Sequence, residues 1–310
     1  MKRIQYHRYG GPEVMRLESF VPDAPAKDEV AIAVHFAALN PVDWKVRNGA
    51  MKIVTGKSFP RAMGLDLSGT VTAVGADVSR FRVGDAVFGM ARFKEAGALG
   101  EVAIAKENAL ARIPEGIRFE DAACLPTVGV VAWNALVDKA KVRPGQNVFI
   151  NGCAGAVGQA AVQIARMFGA RVSGSCSADS IDTARLLGVS DVYDYATTDL
   201  ATLQGAYDIV FDAAGTIPTS VGIRMLRKKG TFATVEPTPM RFLRALFDRR
   251  LKPIVGTPRA DVLERLGSAV ASNALTLPIA DIVPLAKAIY LIASVEGGRR
   301  LRGKALVTME

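Results

Sequence analysis

Asn147-Val148-Phe149-Ile150-Asn151-Gly152-Cys153-Ala154-Gly155-Ala156-Val157-Gly158 is the stretch whose reading decides the fold. Residues 147–151 form a short apolar run of strand type, and from 159 to 168 apolar positions recur at helical spacing. Three glycines between a strand and a helix have separate tasks. Gly152 permits a sharp exit from the strand, Gly155 lets backbone N–H groups approach a pyrophosphate, and Gly158 lets the helix pack closely on the sheet. Ala154, Ala156 and Val157 fill the remaining places, so the whole loop is read as a dinucleotide cradle, with the positive end of the helix facing the phosphates. Turns and tight packing also select glycine; the flanking strand and helix are what give the pattern its meaning.

Outward from the loop, strands and helices alternate, the texture of a parallel sheet wrapped by helices. Strands are expected at 147–151, 171–175, 192–195, 207–212, 231–235 and 252–255, with helices at 156–168, 180–187, 219–226 and 240–251 and a helical lead-in at 119–139. Six strands make a full doubly wound α/β fold. Before about residue 115 the sequence is mostly β, with strands at 29–36, 67–74 and 85–88 and turns at Gly10-Gly11-Pro12 and Val83-Gly84-Asp85. The end of the chain, Gly303-Lys304-Ala305-Leu306-Val307-Thr308, is again strand-like and can complete the first lobe's sheet. The expected division is 1–118, 119–257 for the dinucleotide domain, and 258–310 returning to the first. A length of 310 residues favours two lobes over one.

Sites for NAD usually place an acidic residue about 20 positions past the first glycine, on the ribose diol. This chain has Ser173-Gly174-Ser175-Cys176-Ser177 there. Without that carboxylate a 2'-phosphate is not repelled, and Ser175 and Ser177 can donate hydrogen bonds to it, which points to NADPH; ordinary serines in a turn are the plainer alternative.

Composition narrows the class. No apolar run reaches the roughly 18 residues that cross a bilayer, and residues 1–7 enter strand-like sequence without a signal pattern, so a cytoplasmic chain with no membrane partner is expected. The three cysteines, Cys124, Cys153 and Cys176, fit neither a disulfide framework nor a metal cluster. Cys153, beside the helix N-terminus, is either an activated thiol or a small loop filler. A net charge of +9 favours anionic ligands. The bases are dispersed, however, and the densest stretch, 240–250, reads as an amphipathic helix with a solvated basic face rather than a nucleic-acid surface. His7 and His35 both lie in strand-like sequence and read as structural.

Several segments carry a resemblance: His7-Arg8-Tyr9-Gly10-Gly11-Pro12-Glu13-Val14, Ala38-Leu39-Asn40-Pro41-Val42-Asp43, Gly64-Leu65-Asp66-Leu67-Ser68-Gly69, Val83-Gly84-Asp85-Ala86-Val87-Phe88-Gly89, the glycine loop, Asp194-Tyr195 and Gly303-Lys304. The chain resembles the medium-chain dehydrogenase/reductase superfamily, specifically its zinc-independent quinone oxidoreductase branch. The resemblance implies a GroES-like, mostly β catalytic domain beside a Rossmann domain with a six-stranded parallel sheet, and a homodimer joined through the dinucleotide domain. It implies that Asn40 and Thr127 lie near the nicotinamide, that Gly174 and Tyr195 flank the adenosine, and that the 299–304 tail, with Lys304, approaches the cofactor. Read without it, Asn40 before Pro41 can shape a turn, Thr127 can cap a helix, Tyr195 can be a rim aromatic, and Arg299, Arg300 and Arg302 can be a solvated cluster.

Zinc-dependent relatives carry a cysteine where Asn40 stands and Gly-His-Glu where this chain has Gly64-Leu65-Asp66, so two metal ligands are lost and no metal is expected. An activated alkene or a quinone accepts hydride without a Lewis acid, because its anion is delocalised. Some relatives have a tyrosine after the Asn-Gly segment bordering the substrate; here the sequence is Asn48-Gly49-Ala50-Met51. Either water then delivers the proton, or the pocket favours bulkier, more apolar substrates met by Trp44, Met51 and Phe93, unless those residues are core. The expectation is an NADPH-dependent reductase of quinones or α,β-unsaturated carbonyls, with a non-catalytic NADPH-binding protein of crystallin or sensor type as the alternative, and RNA binding behind both.

Overall fold

The computed structural model describes residues 1–309. The chain begins with β1 (Lys2–Tyr6), β2 (Met15–Ser19) and β3 (Glu29–Ala38), then helices α1 (Pro41–Arg47) and α2 (Lys52–Thr55). Strands β4 (Arg61–Ala62), β5 (Asp66–Val74), β6 (Ala86–Met90), β7 (Val102–Lys106) and β8 (Leu110–Arg112) follow, then helices α3 (Phe119–Ala123) and α4 (Pro126–Trp133). After α4 a π-helical turn, Asn134–Lys139, leads to β9 (Asn147–Asn151), α5 (Ala156–Met167), β10 (Arg171–Cys176), α6 (Ile181–Leu186) and β11 (Val192–Asp194). Next come β12 (Tyr207–Asp212), α7 (Thr219–Met225), β13 (Leu226–Thr234), α8 (Pro239–Phe247) and β14 (Leu251–Pro253). The chain closes with α9 (Ala260–Ala271), β15 (Ile279–Pro284), α10 (Ala288–Glu296) and β16 (Lys304–Thr308).

Two compact units result: Met1–Thr127 with the segment from Pro258 onward, and Val128–Thr257. In the first, a seven-stranded sheet has the order β15-β16-β3-β5-β6-β8, with β7 also pairing β3, and a smaller sheet runs β2-β1-β4. Strand β16 lies antiparallel to β3, Leu306 opposite Ala38, so the end of the chain does complete the first sheet. It reaches that place beside β15, a parallel neighbour in which Ala280 and Ile282 are exposed and the other residues half-buried. The core is built from Ile4, Ile32, Leu67, Leu99, Leu110, Ile292 and Val307. The buried Arg47 of α1 reaches Glu296 of α10 through one guanidinium nitrogen, Nη2, at 2.6 and 2.7 Å.

Helix α3 belongs to this first unit rather than leading into the second. Ser68 on β5 donates to the Phe119 carbonyl at 2.7 Å, and the Phe119 ring stacks on His35 of β3 at 4.4 Å. These contacts hold the first half of the expected 119–139 helix against the β sheet, and the second unit starts at Val128.

The second unit is an all-parallel sheet in the order β11-β10-β9-β12-β13-β14. The order reverses beside β9, the strand entering the glycine loop, which is where ligands bind on such sheets. Strand β9 is central and buried along Val148, Phe149 and Ile150, as its apolar run requires.

Helix α8 departs from expectation. Arg244 is solvated as expected, but Met240, Phe242, Leu243, Leu246 and Phe247 are exposed as well, while Arg241 turns inward to Thr234 Oγ1 at 2.7 Å and the Ile217 carbonyl at 2.9 Å. The helix thus leaves its apolar side chains outside together with its basic one.

Candidate active site

In the second unit the glycine loop does what its spacing requires. Gly152 has φ +75°, a conformation costly for residues with a Cβ, and its N–H and that of Cys153 both donate to the Ser175 carbonyl, at 2.9 and 3.0 Å. A Cβ on Gly158 would stand 2.0 Å from the Gly152 carbonyl oxygen, so only glycine lets α5 begin this close to the loop. Gly155 is the N-cap of α5, and no side chain caps that end. The first-turn N–H groups at Ala156, Val157 and Gly158 therefore have no partner within the helix. Gln159 closes the loop from behind, Nε2 to the Ala154 carbonyl at 2.7 Å. An uncapped helix start in a loop with glycine at 152, 155 and 158 fits a pyrophosphate. Cys153 is the filler, not an activated thiol: it is fully buried, and burial pushes its thiol up to about 12.

Strand β10 carries Gly174 between Ile150 of β9 and Val192 of β11, and Tyr195 follows β11 with its N–H on the Cys176 carbonyl at 3.1 Å and its ring half exposed. Both thus stand at or near the carboxyl end of β10. Ser175 does not meet the expectation placed on it. Its side chain is fully buried and its hydroxyl donates to Asn151 Oδ1 at 2.7 Å, so it has no proton for a phosphate. Ser177, past the end of the strand, is half-buried, with its Oγ 3.1 Å from that of Ser180. Asp179, in the turn after it, is exposed.

Sequence reading passed over a second buried network at the same strand ends. Asn151 Nδ2 donates to Asp212 Oδ1 at 2.7 Å and to Thr216 Oγ1 at 2.9 Å. Asp212 also accepts from the N–H groups of Thr216 and Ile217, fixing the turn after β12.

In the first unit, Asn40 and Thr127, residues far apart in sequence, converge on one carboxylate, Asp66, and Lys304 reaches the same set through Asn40. Asn40 ends the approach to α1 and is 1 % exposed; its backbone N–H is taken by Asp43 Oδ2 at 2.8 Å, an N-terminal helix cap. Its side-chain Nδ2 donates to Asp66 Oδ2 at 2.9 Å and to the Ala38 carbonyl at 3.2 Å, and its Oδ1 accepts from Lys304 Nζ at 2.7 Å. Thr127, in the first turn of α4, gives Asp66 both its N–H, at 3.0 Å, and its hydroxyl, at 2.6 Å. Asp66 thus caps α4, the part sequence reading allowed Thr127 itself. Lys304 is 3 % exposed, and its ammonium also donates to the Leu39 carbonyl at 2.9 Å.

Donors in this set are nearly exhausted. Both amide hydrogens of Asn40 and the hydroxyl hydrogen of Thr127 point inward, so what these side chains offer a ligand is oxygen lone pairs. Burial pushes the Asp43 carboxyl up to about 7, with the neighbouring Asp66 charge adding to the rise and the Asn40 N–H and Lys304 opposing it. Asp66 is also raised, first by burial, with Lys304, Thr127 and Asn40 opposing. Asp43 and Asp66 went unassigned in the sequence; Asp43 sits three residues after a helix N-cap and carried a local signal, whereas Asp66 carried none.

Trp44 packs against the core of the first unit, and Met51 and Phe93 are half-buried there. His7 is exposed and pairs with Glu18 at 2.8 Å, and His35 is stacked and bonded to Thr70; both are structural. Arg299 pairs with Asp281 at 3.1 Å.

Residues 26–115 match the alcohol dehydrogenase GroES-like domain and residues 156–241 the zinc-binding dehydrogenase family. A quinone-oxidoreductase homolog of spinach chloroplasts is 31 % identical over 324 aligned positions, covering 99 % of this chain and 98 % of that one. An Arabidopsis chloroplast protein named NADPH-dependent alkenal/one oxidoreductase is 33 % identical, covering 91 % and 72 %. Among solved structures, the quinone oxidoreductase of Coxiella burnetii superposes with a TM-score of 0.90 at 29 % identity, covering 100 % and 99 %. Fold and site together define an oxidoreductase that uses a nicotinamide cofactor and a small-molecule substrate. The chain belongs to the quinone oxidoreductase branch of the medium-chain dehydrogenase/reductase superfamily. No helix among the described residues is long and apolar enough to cross a membrane.

Proposed function

We propose that this chain is a zinc-independent, NADPH-dependent reductase that passes hydride to a quinone or to the β-carbon of an α,β-unsaturated carbonyl. The observation that carries the reading is the set around Asp66: Asn40 and Leu65 stand where zinc-dependent relatives hold ligands, Leu65 has no donor atom, and every N–H of the Asn40 side chain is engaged. Among the described residues no three His, Cys, Asp or Glu side chains gather as a metal site. Such a set offers a localised alkoxide no side-chain donor beyond the third ammonium hydrogen of Lys304, and it suits an acceptor whose anion is spread over a conjugated system.

The bound nicotinamide supplies the hydride. Asn40 Oδ1 and Thr127 Oγ1 accept from hydroxyl or amide hydrogens on the nicotinamide side and so orient it, and Lys304 holds Asn40 in place. The loop 152–158 takes the pyrophosphate, Gly174 and Tyr195 flank the adenosine, and Ser177 takes the 2'-phosphate in place of the carboxylate that NAD-specific sites present. Trp44, Met51 and Phe93 give the acceptor an apolar wall. The enzyme is read as a cytoplasmic homodimer; β14 is the edge of its sheet and the apolar face of α8 beside it is exposed, which supports pairing through the second unit.

Steady-state rates with a panel of acceptors test the reading. NADPH is expected to be consumed with simple quinones and enones and not with the corresponding saturated ketones. Absence of turnover across quinones and enones, or equal rates with saturated ketones, contradicts it.

A further inference from the structure

We propose that the first unit carries an oxyanion-binding site, distinct from the Asp66 set, in which the buried guanidinium of Arg61 receives the carboxylate or phosphate group of a small organic anion. A cavity of about 390 Å³ there is lined by four cationic side chains, Arg3, Arg61, Arg92 and Lys94, against two carboxylates, Asp23 and Glu95. Its size is that of a small-ligand site. None of Asn40, Asp43, Asp66, Thr127 or Lys304 lines it.

Arg61 is 7 % exposed, and among the described residues no carboxylate pairs with it. Nη1 donates to the Lys94 carbonyl at 2.9 Å, Nη2 donates to the Thr55 carbonyl, and Nε has no partner. The guanidinium also lies 5.6 Å from the Phe59 ring centroid, but carbonyls and a ring face leave a buried full charge without a counter-ion, and a buried N–H without an acceptor adds to the cost. An anion from outside supplies the missing counter-charge, and the planar fork of a guanidinium matches the paired oxygens of a carboxylate or phosphate.

Two neighbouring groups show the same deficit. Tyr6 stands opposite Arg61 in the β1/β4 register, so both side chains leave one face of the sheet, and the Tyr6 hydroxyl is buried without a partner. Arg92 Nε also lacks a hydrogen bond; Glu95 lies 3.8 Å from it, and Nη1 reaches Glu29 at 3.4 Å. Three of the five unpartnered buried side-chain polar atoms among the described residues therefore belong to Arg61, its strand neighbour Tyr6, and the cavity-lining Arg92. Arg3, with its guanidinium 4.4 Å above the Phe20 ring, and the exposed Lys94 add positive charge at the same cavity.

The test uses full-length protein saturated with NADPH, so that sites for the cofactor's own phosphates are filled, and titrates it by calorimetry with inorganic phosphate and, separately, citrate, at ionic strength fixed with sodium chloride. Saturable binding of either anion is expected, with affinity weakened at least about tenfold in Lys94→Gln and in Arg3→Gln, abolished in Arg61→Gln, and kept in Arg249→Gln, a control in the second unit. Citrate alone binding assigns a carboxylate, and phosphate alone a phosphate. If Arg61→Gln does not fold, the Lys94 and Arg3 variants decide. No saturable binding of either anion, or binding that none of the cavity variants weakens, overturns the proposal.

Discussion

At Asp66 one carboxylate receives hydrogen bonds from Asn40 and Thr127 and so determines which way both side chains face a ligand. Removing one member leaves buried donors unpaired, at about 1–3 kcal/mol each. Asp43 beside it makes a measurable prediction. Its folded-state carboxyl is raised from the ordinary 3.8 to about 7. Between those values the folded chain keeps a proton that the unfolded chain has released, so this group's contribution to stability falls as pH rises through the window and is fully lost above it. Asp43→Asn keeps the shape without the charge; its melting temperature relative to the parent is expected to rise by several degrees from about pH 4 to about pH 7, and a constant difference contradicts the assignment. Asn40, Thr127 and Lys304 stood out in the sequence because they sit in motifs, and the structure brings them into one hydrogen-bonded set with Asp66. Asp66's role was not legible, since it depends on partners brought together by sheet register and chain closure. Ser175 was misread for the same reason: the serine pattern looked like a phosphate turn, but the β9/β10 register places its hydroxyl against Asn151.

Elements whose signal is local were legible. The run from β9 through the loop into α5 announces itself by an apolar pentad, three spaced glycines and a 3.6-residue period, and the structure places all three features in register. Elements fixed by distant partners were not: β15 takes its place from its pairing with β16, and α8 leaves its apolar residues exposed while Arg241 is held at Thr234 and Ile217. The end of β10 carries the coenzyme prediction. Ser177→Asp places a carboxylate where the 2'-phosphate is to bind, and kcat/KM for NADPH relative to NADH is expected to drop at least about tenfold, most of it in KM for NADPH. An unchanged ratio would assign coenzyme choice to another residue, with the exposed Asp179 the next to vary.

Across the whole molecule, the parallel sheet carries a glycine loop at the start of a helix, and the β-rich unit carries a buried polar set of amide, hydroxyl, ammonium and carboxylate groups. The proposed function rests on that set orienting a nicotinamide without activating an unconjugated carbonyl. The basic charge of +9 suits anionic ligands in general and identifies none of them; the proposed oxyanion site at Arg61 would give part of that charge a specific task. The measurement that tests this account most directly is the rate of NADPH oxidation by a simple quinone, before and after exhaustive chelation, with the metal content of the same samples. The account predicts an unchanged rate in protein stripped of zinc; loss of activity on chelation, restored by stoichiometric zinc, contradicts it.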